Sequence, residues 1–169
     1  MFPQRSDAMQ KADLDAIDWR ILRELQEDGR ITNVELSRRV GISAPPCLRR
    51  VKRLEEAGVI RFYRAMLDGP KLGLDVVAFC MVGLKHQADA ELKAFAALVE
   101  DWVLVRQAWM VSGDTDFLLF CVAGDLAAFQ RFVIEELASA PNVDTVRTAL
   151  TIRQVKDKGL VAIGRDAPA

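Results

Sequence analysis

The sequence predicts an α+β protein, an N-terminal winged helix-turn-helix followed by a C-terminal ferredoxin-like βαββαβ domain. Three observations predict it. Apolar residues recur at helical spacing through the first third, strand-like and helix-like periodicities alternate through the remainder, and the two parts differ in charge. From Arg30 to Arg64 nine Lys or Arg face three acids, a balance of +6, whereas from Leu74 onward nine basic residues face thirteen acidic ones, a balance of -4. The formal net charge of -1 conceals this division. With 169 residues, 51% of them hydrophobic, the chain can bury a core, and disorder as its main state is excluded.

Between about Asp15 and Asp28, Ile17, Ile21, Leu22 and Leu25 share one helical face, and Gly29 ends the segment. Thr32-Asn33-Val34-Glu35 reads as a capping box, in which the threonine hydroxyl accepts backbone N–H groups while the glutamate reaches back. The second helix is short and stops near Gly41. Ser43 is placed to cap a third helix, whose first turn tolerates Pro45 and Pro46 because N–H groups there lack intrahelical acceptors. That helix reaches Ala57, docks through Leu48, Val51 and Leu54, and carries Arg49, Arg50, Lys52 and Arg53 on its other face. Val59 to Arg64 is rich in β-formers and predicts a short strand or wing. A linker near Asp68-Gly69-Pro70 sets domain limits of 13–68 and 69–156, with a flexible tail over 157–169.

In the second domain the predicted strands are Leu74 to Lys85, Trp102 to Val111, Phe117 to Ala123 and Val143 to Val155. The helices between them cover Asp89 to Glu100 and Asp125 to Ala138, each opening on a capping aspartate. Val76 to Val82 is apolar at odd and even positions alike, so both sheet faces need cover. Two helices can cover one face. A second copy of the chain is expected on the other, making a homodimer the minimum assembly.

Several classes of chemistry are not indicated. No apolar run is long enough to span a bilayer and the N-terminus lacks a signal-peptide core, so a cytoplasmic protein without membrane contact is expected. Cys47, Cys80 and Cys121 are far apart and odd in number, which points to small core residues rather than disulfides or a metal knuckle. His86 has no ligand partner at metal spacing, so neither a metal nor another cofactor is expected. Trp102 and Trp109 read as core or interface anchors.

The tri-helical segment points to double-stranded DNA. Phosphates require positive charge and base edges require long donors, and the third helix supplies both. Arg38, Arg39, Ser43, Arg49, Arg50, Lys52 and Arg53 are the candidate contacts. The second feature is the loop Ser112-Gly113-Asp114-Thr115-Asp116 between two apolar strands. A zwitterionic amino acid needs an anion for its ammonium, which Asp114 or Asp116 can supply, and N–H donors for its carboxylate, which backbone at Gly113 can supply. The same residues suit an ordinary hairpin turn.

Leu14-Asp15-Ala16-Ile17-Asp18, Leu25-Gln26-Glu27-Asp28-Gly29-Arg30-Ile31 and the run from Cys47 to Ile60 resemble the Lrp/AsnC family of transcription factors, over roughly Asp13 to Lys156. The resemblance implies a winged helix-turn-helix joined to an effector-binding domain that dimerises and often builds tetramers or octamers. It implies a small-molecule effector, commonly an amino acid, held near subunit contacts. The 112–116 loop matches the family's Gly-acid-aromatic-Asp loop, except that Thr115 stands where the family usually has an aromatic residue. Thr148 resembles a pocket-lining threonine of the family's last strand. A DNA-compacting protein whose second domain only oligomerises is the alternative. An acid/base enzyme using Asp114 and Asp116 would lack a nearby nucleophile, metal cluster or phosphate loop.

Overall fold

The computed structural model describes residues 13–157 and 161–163. They fall into two compact units that divide between Met66 and Leu67, with Asp157 and residues 161–163 grouped with the first.

The first unit contains α1 (Ala16–Glu27), α2 (Asn33–Val40) and α3 (Ala44–Glu56). A complete capping box starts α1: the Asp15 carboxylate accepts the N–H groups of Ile17 and Asp18, and the Asp18 carboxylate accepts the Asp15 N–H. The box expected at Thr32 is only half made. Thr32 Oγ1 accepts the Glu35 N–H, but the Glu35 carboxylate turns to Arg38 and Arg39 instead, where charge-assisted donors outcompete a backbone N–H. Gly41 ends α2 at φ 77°, the left-handed conformation that favours glycine. Ser43 occupies the cap position of α3 without a side-chain cap bond.

Ile21, Leu36, Val40, Cys47 and Leu54 form the buried core of this unit. Leu48, expected on the docking face of α3, is 44% exposed. The buried stripe runs instead through Cys47 and Leu54 with Val51 partly buried, because Leu48 lies one position off the i, i+4, i+7 row that Cys47 begins. The wing strand does not form: residues 61–68 hold neither helix nor strand, since among the described residues no second strand lies alongside to complete a ladder. Of the tail, 158–160 and 164–169 lie outside the described residues, and the Val161 carbonyl accepts from Gln26 Nε2 at 2.7 Å.

The second unit opens with a 3-10 turn at Pro70–Leu72 and continues through β1 (Val76–Leu84), α4 (Asp89–Asp101), β2 (Val105–Met110), β3 (Phe117–Ala123), α5 (Leu126–Arg131) and β4 (Val143–Leu150). Helix α5 widens into a π-helical turn at Phe132–Leu137. The sheet order is β2-β3-β1-β4 with every neighbour antiparallel, the ferredoxin-like arrangement. Phe95 and Val99 of α4, with Phe129, Phe132 and Leu137, cover Ala78, Cys80, Val82, Leu119 and Cys121. All three cysteines are buried and outside any disulfide, and the Cys80 and Cys121 thiols share a hydrogen bond at 3.8 Å.

Some boundaries and caps differ from the sequence reading. Trp102 is the C-cap of α4 rather than a strand residue, and its ring meets Phe95 and Phe132 edge-on at 5.7 and 5.5 Å. Strand β4 stops at Leu150 because Thr151 already pairs with Val77, near the start of β1, and no ladder remains for 152–155. Asp89 lies inside α4, capped by Ala88 without a side-chain bond, and its carboxylate holds Lys93. Asp125 does cap α5, accepting the Ala128 N–H at 2.6 Å.

Along β1 the burial alternates: Ala78, Cys80, Val82 and Leu84 lie under the helices, while Val77, Phe79 and Met81 on the opposite face are only partly covered. Phe79 faces Phe120 of β3 on that face, with ring centroids 5.4 Å apart. Among the described residues, an apolar sheet face thus stands without helices over it.

Candidate functional site

Two sites emerge, one in each unit. In the first, the tight turn at Gly41 sets α3 against α1 and α2, and Asn33 Nδ2 donates to the Ala44 carbonyl at 2.9 Å to fix the start of α3. An open cleft of about 300 Å³ is lined by Pro46, Arg49, Arg50 and Arg53. Arg49 and Lys52 are exposed and, among the described residues, paired with no carboxylate. Arg50 is engaged: its Nη1 donates to Asp15 at 2.6 Å and to Asp18 at 2.8 Å, and its side chain is 27% exposed. Arg53 also pairs with Asp18 but stays more exposed.

On α2, Arg38 and Arg39 converge on Glu35, with Nε–Oε distances of 2.8 Å each, and Arg39 reaches Glu24 at 3.1 Å. The hydrogen bonds from Arg38 and then Arg39 pull the Glu35 carboxyl down to about 2. Four of the expected cations, Arg38, Arg39, Arg50 and Arg53, are therefore oriented by acids that the sequence showed only as neighbours or as parts of another helix. Ser43 is exposed at the head of α3.

The second site is a cleft of about 350 Å³ at the end of β1. Gly113, Asp114 and Asp116 line it from the β2–β3 loop. Gly83, Gln87, Asp144, Thr145 and Arg147 line it too. Gly113 adopts φ 118°, a conformation that side chains rarely take. Asp116 is partly committed to the fold, because its Oδ2 accepts the Leu84 N–H at 2.7 Å.

Ser112, Thr115 and Thr148 do not line this cleft. Thr148 lies opposite Cys80, on the sheet face turned to the helices, whereas its neighbour Arg147 lies opposite Met81 on the open face. The strand's period of two separates them. Sequence reading missed Gly83, Gln87, Asp144, Thr145 and Arg147. Only Gly83 carried a signal, a glycine inside an apolar strand, which marks a bulge or close approach. Both occur: the β1–β4 register shifts at Gly83/Leu84, and a Cβ on Gly83 would lie 2.6 Å from Thr145 Oγ1.

Among the described residues no cluster of His, Cys, Asp or Glu could hold a metal ion, and no helix is long and apolar enough to cross a membrane. A helix-turn-helix with a cationic third helix, followed in the chain by a ferredoxin-like unit with a polar cleft, is the composition of a two-domain regulator.

Comparison with known proteins makes this specific. Residues 14–61 match the winged helix-turn-helix DNA-binding family and residues 77–161 match the Lrp/AsnC ligand binding domain. The leucine-responsive regulatory protein of Rhizobium meliloti (strain 1021) is 72% identical over 153 residues, covering 90% of this chain and 98% of that protein. Its counterpart in Escherichia coli (strain K12) is 40% identical over 151 residues, covering 89% and 92%. Among solved structures, a transcriptional regulator from Neisseria meningitidis in complex with L-Met aligns with TM-score 0.84 at 40% identity, covering 88% of this chain and 96% of that one. An AsnC family transcriptional regulator from Agrobacterium tumefaciens aligns with TM-score 0.82 at 34% identity, covering 88% and 97%. The chain belongs to the Lrp/AsnC family, whose members are DNA-binding transcriptional regulators and not enzymes.

Proposed function

We propose that this regulator binds double-stranded DNA in the cytoplasm through α2 and α3, and that an amino acid held in the cleft at the end of β1 adjusts its assembly on DNA. The carrying observation is the composition of that cleft. Asp114, Asp116 and Asp144 offer anionic oxygens to an ammonium, while Arg147 offers a fork of donors to a carboxylate. One oxygen of Asp116 is already used by Leu84, so Asp114 and Asp144 are assigned the larger share of the ammonium. The Neisseria meningitidis relative's complex with L-Met supports an amino acid as the ligand class. Ser112, Thr115 and Thr148 are assigned to the site only as residues a second subunit or a moving loop would bring to it.

On the DNA side, Arg38, Arg39, Ser43, Arg49, Lys52 and Arg53 are assigned to the duplex, with α3 in the major groove. The partly covered apolar sheet face of Val77, Phe79 and Met81 supports a homodimer, which we take as the unit that closes into tetramers or octamers. Thermal-shift measurements over the twenty amino acids test the effector reading, because a ligand that binds only the folded state raises its stability by mass action. A subset of amino acids is expected to raise Tm and to change the mobility of protein–DNA complexes. No shift from any of them would overturn the amino-acid reading and favour a DNA-compacting protein instead.

A further inference from the structure

We propose that Asp18 is the positioning residue of the recognition helix: its buried carboxylate fixes α3 to α1 through Arg50 and Arg53, so that Arg49 and Lys52 lead the contact with DNA while Arg50 is kept out of it. This rests on the DNA-binding reading above.

Asp18 is fully buried, and it sits in the first turn of α1. An ionised carboxylate removed from water is strongly disfavoured unless cations and hydrogen bonds compensate it. Here they do. Oδ1 takes Arg50 Nη1 at 2.8 Å, and Oδ2 takes Arg53 Nη2 together with the Asp15 N–H at 3.2 Å. Asp15 adds a second acceptor for Arg50 Nη1 at 2.6 Å. The capping box that starts α1 is therefore also the anchor for a helix more than thirty residues away in sequence.

Two consequences follow from the spacing on α3. Arg50 and Arg53, three residues apart, lie on adjoining turns of one helix flank, so gripping both fixes the rotation of α3 about its own axis. Arg49 and Lys52, also three apart, then face outward together, exposed and without carboxylate partners among the described residues. Arg50 spends one nitrogen, Nη1, on both Asp15 and Asp18 and its side chain is only 27% exposed, so drawing it out to a phosphate would cost the buried Asp18 one of its two cations. Arg53, whose side chain is 56% exposed, can hold Asp18 with one nitrogen and still present the others.

The test uses the full chain and compares Asp18→Asn and Arg50→Met with wild type. Binding to a duplex selected in vitro by the wild-type chain, and to a random duplex, is followed across salt, with circular dichroism confirming the fold. Asp18→Asn keeps the shape but removes the charge, which frees Arg53 and leaves Arg50 to Asp15 alone. Its salt slope on random duplex is expected to steepen by about 0.9 to 1.8, one or two added phosphate contacts, while preference for the selected duplex falls about tenfold. Side-chain NMR should show hindered Arg50 and Arg53 guanidinium groups in wild type and freer rotation in Asp18→Asn, most of all for Arg53, which has no second carboxylate among the described residues.

Arg50→Met decides the matter even where Asp18→Asn fails to fold. If Arg50 only positions the helix, its salt slope stays at the wild-type value while selectivity drops. A slope lower by about one unit would place Arg50 on a phosphate and overturn the inference. A folded Asp18→Asn protein with unchanged slope and selectivity, beside normal wild-type binding, would overturn the clamp alone. A wild-type chain that binds no duplex would remove the DNA reading and this inference with it.

Discussion

The Asp116 carboxylate accepts the Leu84 N–H at 2.7 Å, which ties the β2–β3 loop to the end of β1 beside the candidate effector cleft. The Asp116 N–H in turn donates to the Val82 carbonyl at 2.9 Å. One residue thus closes the end of the sheet and offers charge to the cleft, and the two roles can be separated. Asp116→Ala leaves a partly buried N–H without an acceptor and is expected to lower the unfolding free energy by about 1–3 kcal/mol. Asp116→Asn keeps an acceptor and is expected to fold normally, with at least about tenfold weaker amino-acid binding from loss of the charge. Urea unfolding and calorimetry read the two effects. An alanine variant as stable as wild type would show that the tie contributes nothing.

Gly83 tests the wall of the same cleft. Its Cβ position lies 2.6 Å from Thr145 Oγ1, so Gly83→Ala must displace the threonine and strain the β1–β4 pairing. A loss of about 1–3 kcal/mol is expected, as for other overpacked positions. Adding Thr145→Ala should recover most of it, and this coupling is measured by a double-mutant cycle. Additive losses would mean that the two positions do not meet.

The uncovered sheet face predicts assembly. Phe79 and Phe120 pack together at 5.4 Å on the side of the sheet away from the helices. Replacing either by Asp would place an unpaired charge in the proposed subunit contact, and sedimentation of the full chain at micromolar concentration should show monomer in place of dimer. Circular dichroism should be unchanged. A dimer that survives Phe79→Asp would put the subunit contact elsewhere.

Acid should weaken the first unit by way of Glu35. Its carboxyl is held at about 2, below the ordinary 4.5, chiefly by hydrogen bonds from Arg38 and then Arg39. A depressed folded-state value means that the stabilisation is fully present above about 4.5 and is lost as pH falls toward about 2. Asp15, lowered first by the Asp18 N–H, acts in the same direction. Glu35→Gln should flatten this acid limb of thermal melts. Molar salt should do the same in wild type, because the group is exposed. An acid limb identical in Glu35→Gln would show that the pairs with α2 arginines carry none of it.

Much of the fold was legible in local pattern. Helical spacing of Ile17, Ile21 and Leu25, the left-handed glycine at Gly41 and the alternation of strand and helix in the second half are properties of neighbouring residues, and they specify elements without reference to the rest of the chain. Charge distribution separated a basic module from an acidic one for the same reason. What depends on the third dimension was not legible. Leu48 and Cys47 are adjacent and both apolar, and only the packing of α3 decided that Cys47 is buried while Leu48 is exposed. Arg49 and Arg50 are adjacent and identical, yet only Arg50 meets the carboxylates of α1, because a helix turns about 100° per residue and those carboxylates lie more than thirty residues earlier. Arg147 and Thr148 are parted by the strand's alternation, and Asp144, Thr145 and Arg147 join the 113–116 loop only because β4 pairs with β1. The sequence by itself determined which residue types and elements exist. The tertiary structure decided which charges meet, since ion pairs and clefts depend on distances between segments that no local period encodes.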